Sequence, residues 1–175
     1  EDMYKNPGTP LLYWLVAADY DRTKAEFGYI DRFLRMVQPG AIVEASKRVD
    51  PGYIEVRIPK EKQYRIRVET KSGKDPRTLA MFAPHGIIGC EASQLDLETY
   101  YKCLERLTGK GGWLHLSGTY EAGSLGWYPG LAAAWRHGSA EEQSFILPAT
   151  TNKHFYPLGE NDPKILRLRR ETSDE

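Results

Sequence analysis

Two hydrophobic patterns alternate along this chain, and together they predict an α/β fold. Continuous apolar runs at residues 11–18 and 86–89 are typical of strands that are covered on both faces of a sheet. Apolar residues at helical spacing follow the first run, with Asp21 as the expected N-cap and residues 38–40 as the end of the helix. This stripe consists of Phe27, Ile30, Leu34 and Val37.

A period of two replaces these patterns at residues 53–58 and 64–68, where apolar and polar side chains alternate. With a polar turn between them, the two segments predict an antiparallel hairpin with one solvated face.

A second helix is expected at residues 97–107 after Asp96, and a shorter one at 128–137. Further strands are expected at 113–117 and 144–147. The packed stripe of the second helix is predicted to be Leu97, Tyr100, Tyr101, Leu104 and Leu107. The predicted fold class is α/β, with a mainly parallel sheet, flanking helices and an antiparallel hairpin.

Composition narrows the classes of function. The 175 residues suffice for one domain with a sizeable core, and the 24 basic residues equal the 24 acidic ones. This balance argues against a surface that is entirely a nucleic-acid footprint. A basic stretch beside the hairpin is either a solvated face or a local phosphate contact, and it consists of Arg65, Arg67, Lys71, Lys74 and Arg77.

Other features of the composition favour an intracellular protein. No apolar run approaches the roughly 18 residues of a membrane span. The two cysteines are too few for a disulfide framework, which favours a reducing compartment.

Polar side chains follow two of the predicted strands. Glu91 comes soon after the run at 86–89, and the strand at 113–117 leads into Ser117, Gly118 and Thr119. One helical crossover separates them, which places parallel strand ends side by side. ATP hydrolysis needs a group that orients water beside the γ-phosphate, and Glu91 is a candidate for that role. The alternative is that Glu91 only caps the following turn.

Cys90 allows a different interpretation. It is either a small buried residue or a nucleophilic thiol on a strand-to-helix turn, with His85 or His115 as the base. The chain contains no G-x-x-x-x-G-K-[ST] phosphate loop, because the Gly-Lys pairs at 73–74 and 109–110 lack this pattern.

The order of these segments resembles the ATPase domain of tailed-phage terminase large subunits, the motors that package DNA into procapsids. The resemblance covers roughly residues 11–165. It is carried by an apolar strand followed by Asp19 and Tyr20, a hairpin, and three short motifs. These motifs are Ile87-Ile88-Gly89-Cys90-Glu91-Ala92, Leu116-Ser117-Gly118-Thr119 and residues 144–152.

The resemblance implies a P-loop NTPase fold of the additional-strand, catalytic-glutamate type. It implies that Glu91 is the catalytic glutamate, and that Arg77 corresponds to a trans-acting arginine finger. Cys90 stands where the aspartate of the second Walker motif is commonest. Ser117, Gly118 and Thr119 correspond to the motif that couples hydrolysis to movement.

The resemblance also implies the cofactors and partners of the whole protein. These are ATP and Mg²⁺, double-stranded DNA, the portal, the small terminase subunit and a homo-oligomeric ring in the host cytoplasm, with no membrane. Residues 1–163 would be a partial ATPase domain, and residues 164–175 a charged tail or linker toward a C-terminal nuclease domain. The phosphate loop would precede residue 1, so the fragment alone is expected to be inactive. The alternatives are a thiol-dependent hydrolase that uses Cys90 and a non-enzymatic α/β interaction domain.

Overall fold

A computed structural model describes residues 9–46, 48, 50–58, 61–120, 126–138 and 141–172. The chain forms two compact units, residues 1–129 and residues 130–175. The first unit contains a six-stranded sheet and its flanking helices.

The strands are β1 (Leu11–Ala17), β2 (Ile42–Ala45), β3 (Tyr53–Ile58), β4 (Glu61–Ser72), β5 (Gly86–Gly89) and β6 (Trp113–Leu116). The helices are α1 (Tyr20–Val37), α2 (Leu97–Thr108), α3 (Trp127–Trp135) and α4 (Pro163–Thr172).

The strand order is β2-β3-β4-β1-β5-β6. Strand β1 pairs in parallel with β4 and with β5, and β5 pairs in parallel with β6. Strands β2, β3 and β4 form antiparallel pairs. The predicted fold class, a mainly parallel sheet flanked by helices with an antiparallel hairpin, is confirmed. Strand β2 was not predicted, because its four residues are too few for a readable pattern.

Two apolar clusters cover the two faces of the sheet. Along β1, successive side chains point to opposite faces, so that Trp14 and Val16 enter one cluster while Leu15 and Ala17 enter the other. The first cluster contains residues of α2, and the second contains Phe27 of α1. Helical cover on both faces explains why β1 and β5 are continuously apolar in the sequence.

Two details of the helices differ from the sequence prediction. Helix α1 begins two residues earlier than expected, because Asp19 is its N-cap and its side chain accepts a hydrogen bond from the Arg22 backbone N–H. Asp21 lies in the first turn instead, where it pairs with Lys24. The last residue of the predicted α1 stripe, Val37, is exposed.

The packed face of α2 is rotated relative to its predicted stripe. Leu97 and Tyr101 are exposed, and the buried residues of this helix are Thr99, Tyr100, Cys103 and Leu107. A reading of large apolar residues alone overlooks small side chains such as Thr99 and Cys103.

The predicted strand at residues 144–147 is wrong. These residues have no regular secondary structure, and Phe145 and Leu147 are 78% and 84% exposed. A strand requires a hydrogen-bonded neighbour, and no described segment pairs with this one.

The second unit ends in α4, which spans most of the predicted charged tail. The Asp162 side chain accepts a hydrogen bond from the Lys164 N–H at the start of this helix, and Ile165 is buried. The assignment of residues 164–175 as a linker to a further domain stays a prediction. Within the described ranges, no helix combines the length and the apolar character that a membrane crossing requires.

We expect that Gly86→Ala destabilises the protein. A Cβ at Gly86 would lie 2.4 Å from the Trp113 ring, which also contacts the Tyr13 ring at a centroid distance of 5.7 Å. Overpacking of this kind costs about 1–3 kcal/mol, measurable by urea unfolding. Gly28→Ala is the matched control, because a Cβ there meets no atom within 4 Å and alanine favours the helix. An equal loss for Gly86→Ala in a Trp113→Ala background would contradict this account.

Candidate functional site

Backbone hydrogen bonds join the carboxyl ends of β5 and β6. The Ser117 N–H donates to the Gly89 carbonyl at 2.9 Å, and the Ala92 N–H donates to the Ser117 carbonyl at 2.7 Å. The Ser117 hydroxyl donates to the same Gly89 carbonyl at 3.4 Å. The residues after β5 and those after β6 therefore form one site, as their parallel pairing was expected to produce.

Glu91 occupies an unusual backbone conformation at this point. Its φ of 49° and ψ of 50° lie in the left-handed region, where it is the one non-glycine residue with positive φ in the described part of the chain. Such a conformation costs about 1–3 kcal/mol, and such residues cluster at functional sites. Glu91 is half-buried and precedes a 3₁₀ turn at Ala92–Gln94, but its side chain makes no capping hydrogen bond to that turn. The interpretation of Glu91 as a mere cap is therefore not supported.

Gly118 lies against the turn after Glu91. A Cβ at this position would be 3.1 Å from the backbone nitrogen atoms of both Ala92 and Ser93, and 3.3 Å from the Tyr128 hydroxyl. Two of these neighbours are backbone atoms that cannot easily move, so glycine permits the close approach. Thr119 follows on the exposed side of the same segment.

Tyr128 at the start of α3 is a site neighbour that the sequence did not single out. The aromatic run at 127–129 was interpreted mainly as core packing, and Tyr128 does belong to the apolar cluster around Trp14. Its hydroxyl nevertheless lies beside Gly118. The sequence contains no signal for this contact, because α3 and Gly118 are joined by a loop of irregular composition.

Cys90 points away from the strand ends into the core. Its side chain is 0% exposed and packs in the cluster with Phe27 of α1. Burial raises the pKa of the Cys90 thiol to about 12, with further contributions from the charges of Glu26 and Glu91. The prediction that it is a small buried residue is confirmed, while a contact with a cofactor stays a prediction.

The two histidines proposed as bases do not support a thiol nucleophile. His85 precedes β5, at the opposite end of the strand from Cys90, and its Nδ1 accepts a hydrogen bond from the Leu12 N–H at 3.0 Å. His115 is exposed on β6. A protonated, buried thiol without a neighbouring imidazole is a poor nucleophile.

Arg77 is apart from this group. It lies in a 3₁₀ turn after β4, its side chain is 92% exposed, and its Nε donates to Asp75 at 3.1 Å. The structure thus brings together Glu91, Ser117 and Gly118, with Thr119 next along the chain. Within the described residues it shows no contact between Arg77 and these groups.

Most of the basic stretch is neutralised within the chain. Arg65 and Arg67 pair with Glu55 at 3.0 and 3.3 Å, and Lys71 pairs with Glu69 at 2.9 Å. These pairs satisfy the charges across β3 and β4, which favours the interpretation of a self-paired sheet face over a phosphate-binding surface.

A small cavity of about 180 Å³ lies at the carboxyl ends of the central strands. It is smaller than the roughly 300–1,000 Å³ of typical ligand pockets. Its lining residues are Ala18, Gly73, Lys74, Gln94, Leu95, Asp96 and Thr99.

No cluster of three metal-ligating side chains occurs among the residues that the structure describes. Mg²⁺ prefers oxygen ligands, and the Cys90 sulfur is buried. The described residues therefore fit the γ-phosphate end of a nucleotide, where a carboxylate and hydroxyls converge, but they do not form a magnesium site.

Comparisons of the sequence with family models and with curated proteins find no match. Solved structures do match. The ATPase domain of the large terminase of Thermus phage P74-26 superposes with a TM-score of 0.56 and 19% identity, over 82% of this chain and 63% of that one. An arginine-to-alanine variant of that domain gives 0.54 and 20% over the same shares. The large terminase of another thermophilic bacteriophage gives 0.51 and 12%, over 67% and 29%.

The fold is therefore of the P-loop NTPase class. Within that class it is similar to the ATPase domain of phage large terminases, which confirms at the level of the fold the resemblance seen in the sequence. The chain spans 63% of the length of the first of these structures.

We expect Cys90 and Cys103 to resist alkylation in the folded protein. Both pKa values are raised to about 12 by burial, so at pH 8 the difference of four units leaves about one thiolate in 10⁴. Labelling with a thiol reagent should be slow in buffer and should reach two thiols per chain in denaturant. Rapid labelling of Cys90 in the native protein would favour the thiol enzyme instead.

Proposed function

We propose that this chain is part of the ATPase motor of a phage terminase large subunit, in which ATP hydrolysis drives translocation of double-stranded DNA into a procapsid. The observation that carries the proposal is Glu91, a half-buried carboxylate in a left-handed conformation at the end of a central strand. It adjoins the segment of Ser117 and Gly118 through the hydrogen bond between Ala92 and Ser117. The similarity to terminase ATPase domains supports the same class of function.

The chemistry of hydrolysis assigns a role to each group. Glu91 orients the attacking water and accepts its proton as the bond to the γ-phosphate forms. The hydroxyls of Ser117 and Thr119 contact the γ-phosphate and respond to its loss, which links hydrolysis to movement. The paired strand ends support this division, because they hold the carboxylate and the hydroxyl segment against each other.

ATP binding requires a phosphate loop that these 175 residues do not contain. We infer that it precedes residue 1, on a strand that adds to β6. In support, β6 is the last strand in the described sheet, and its Trp113 and His115 are exposed. Parallel sheets are normally covered on both faces and their edges protected. A strand at this edge would bring its phosphate loop beside Ser117, so the chain alone should hydrolyse little ATP.

Bound ATP would carry Mg²⁺, which stabilises the charge that develops on the phosphates. With Cys90 at the place of the usual aspartate, its own coordination would run through water held near Glu91 and through the phosphate oxygens. The buried position of the thiol supports this indirect arrangement.

The remaining parts of the proposal concern the whole protein. It forms a homo-oligomeric ring that contacts DNA, the portal and the small terminase subunit in the host cytoplasm. Residues 164–175 lead toward a nuclease domain, and Arg77 acts on the nucleotide of the neighbouring subunit. The exposure of Arg77 supports a role outside its own site.

In the full-length protein we expect Glu91→Gln to lower kcat for ATP hydrolysis by about 10²–10⁴-fold, because it removes the general base. Nucleotide binding, measured with a fluorescent ATP analogue, should be kept. Glu98→Gln is the matched control, since Glu98 is an exposed glutamate on α2 that pairs with Lys102. Wild-type protein without ATPase activity would overturn the motor and favour the interaction domain.

Mixed rings test the role of Arg77. An arginine finger contributes about 10³–10⁵ in kcat, so Arg77→Ala should be as inactive as Glu91→Gln. A mixture of the two variants should regain activity, because intact Glu91 and intact Arg77 then meet at some subunit interfaces. The control is Arg106→Ala, which removes an arginine from α2 instead. Full activity of Arg77→Ala, or no recovery on mixing, would place the finger elsewhere.

A further inference from the structure

The first residue of α3 is anchored to the turn that follows Glu91. The Trp127 Nε1–H donates to the Leu95 carbonyl at 2.8 Å. The Trp127 ring also stacks on the Tyr100 ring of α2, with centroids 4.8 Å apart and an interplanar angle of 27°. The start of α3 is therefore held on the β5 side of the site.

The next residue reaches the β6 side. The Tyr128 ring contacts the Tyr120 ring at a centroid distance of 5.7 Å, and its hydroxyl lies 3.3 Å from the position that a Cβ on Gly118 would take. Tyr128 is 9% exposed, so its ring is a fixed part of the core and not a mobile surface group.

Tyr128 also lies within electrostatic range of the candidate catalytic acid. Burial raises the pKa of its phenol, and Tyr120 and Glu91 raise it further. The phenol is therefore neutral at physiological pH. An uncharged ring beside Glu91 adds no cation that would compete for the carboxylate.

We propose that Tyr128 is a positioning residue of the hydrolytic site. Through its ring contact with Tyr120 and its hydroxyl beside Gly118, it holds the segment after β6 against the turn that carries Glu91. This inference rests on the proposed function and names a residue that sets the geometry of the same site. Anchored by Trp127 on one side, Tyr128 connects the two strand ends from outside the sheet.

The segment after β6 needs such support. Gly118, Thr119 and Tyr120 are exposed and lie beyond the last residue of β6, where the sheet no longer holds them. Gly118 has no side chain with which to pack. A catalytic group displaced by about 1 Å loses up to about 10² in rate, so support from Tyr128 affects kcat without contributing to the chemistry itself.

The test uses the full-length protein and steady-state ATP hydrolysis. Tyr128→Leu should lower kcat at least about tenfold while KM stays within about threefold, because the aligned geometry is lost but the phosphate loop is intact. Tyr128→Phe keeps the ring contact with Tyr120 and should recover kcat to within about threefold of wild type.

Leu107→Ala is the control for a purely structural effect. Leu107 is buried in the same apolar cluster, but it lies in the last turn of α2 and away from Gly118. It should lower the Tm at least as much as Tyr128→Leu and leave kcat of the folded protein unchanged. The proposal is overturned if Tyr128→Leu retains kcat within about threefold of wild type, or if Leu107→Ala lowers kcat equally.

A second arm does not depend on hydrolysis. In amide NMR spectra of the same full-length variants, Tyr128→Leu should shift the signals of Gly118, Tyr120 and Glu91, whereas Leu107→Ala should not. If these signals move but wild-type protein hydrolyses no ATP, the proposed function fails and the positioning contact remains. If they do not move, the positioning role is refuted whatever the ATPase result.

Discussion

The parallel pairing of β5 with β6 determines where the candidate site lies. Both strands are only four residues long, yet they are in register from Gly86 and Trp113 to Gly89 and Leu116. Their ends are then joined by the hydrogen bonds of Ser117 with Gly89 and with Ala92. Because a parallel pair ends at one edge of the sheet, the polar residues that follow both strands meet there.

The left-handed conformation of Glu91 is a local cost within an otherwise regular framework. The Val16 carbonyl accepts a hydrogen bond from the Cys90 N–H at 2.7 Å, so the chain is still held by the sheet one residue before Glu91. One residue after it, Ala92 is tied to Ser117. The strain is therefore confined between two fixed points, which is how an unfavourable conformation persists in a folded protein.

Polarity is distributed unevenly over the sheet. Where helices cover it, the side chains of β1 and β5 are apolar. On β3 and β4 one face instead carries paired charges, including Glu55, which is 8% exposed and contacts two arginines. These pairs let a half-buried face remain polar without unpaired charges. The hairpin can thus extend the sheet without a helix of its own over that face.

The sequence by itself determined the fold class and the location of the candidate carboxylate. The continuous apolar runs, the alternation at 53–58 and 64–68 and the helical stripe after Asp96 depend on local burial, and local burial leaves a readable period. The same patterns placed Glu91 and Ser117 at strand ends. They did not predict β2, the rotated face of α2 or the missing strand at 144–147, because these depend on which segments become neighbours.

Only the tertiary structure decided the contacts of the site. Whether Glu91 caps a turn, whether the Cys90 thiol reaches the surface and whether Arg65 is paired are questions about residues distant in sequence. The placement of Tyr128 beside Gly118 is of the same kind, since it requires α3 to pack against α2 and the end of β6 together. A sequence pattern records which side chains are buried, but the packing of separate elements determines what each buried side chain contacts.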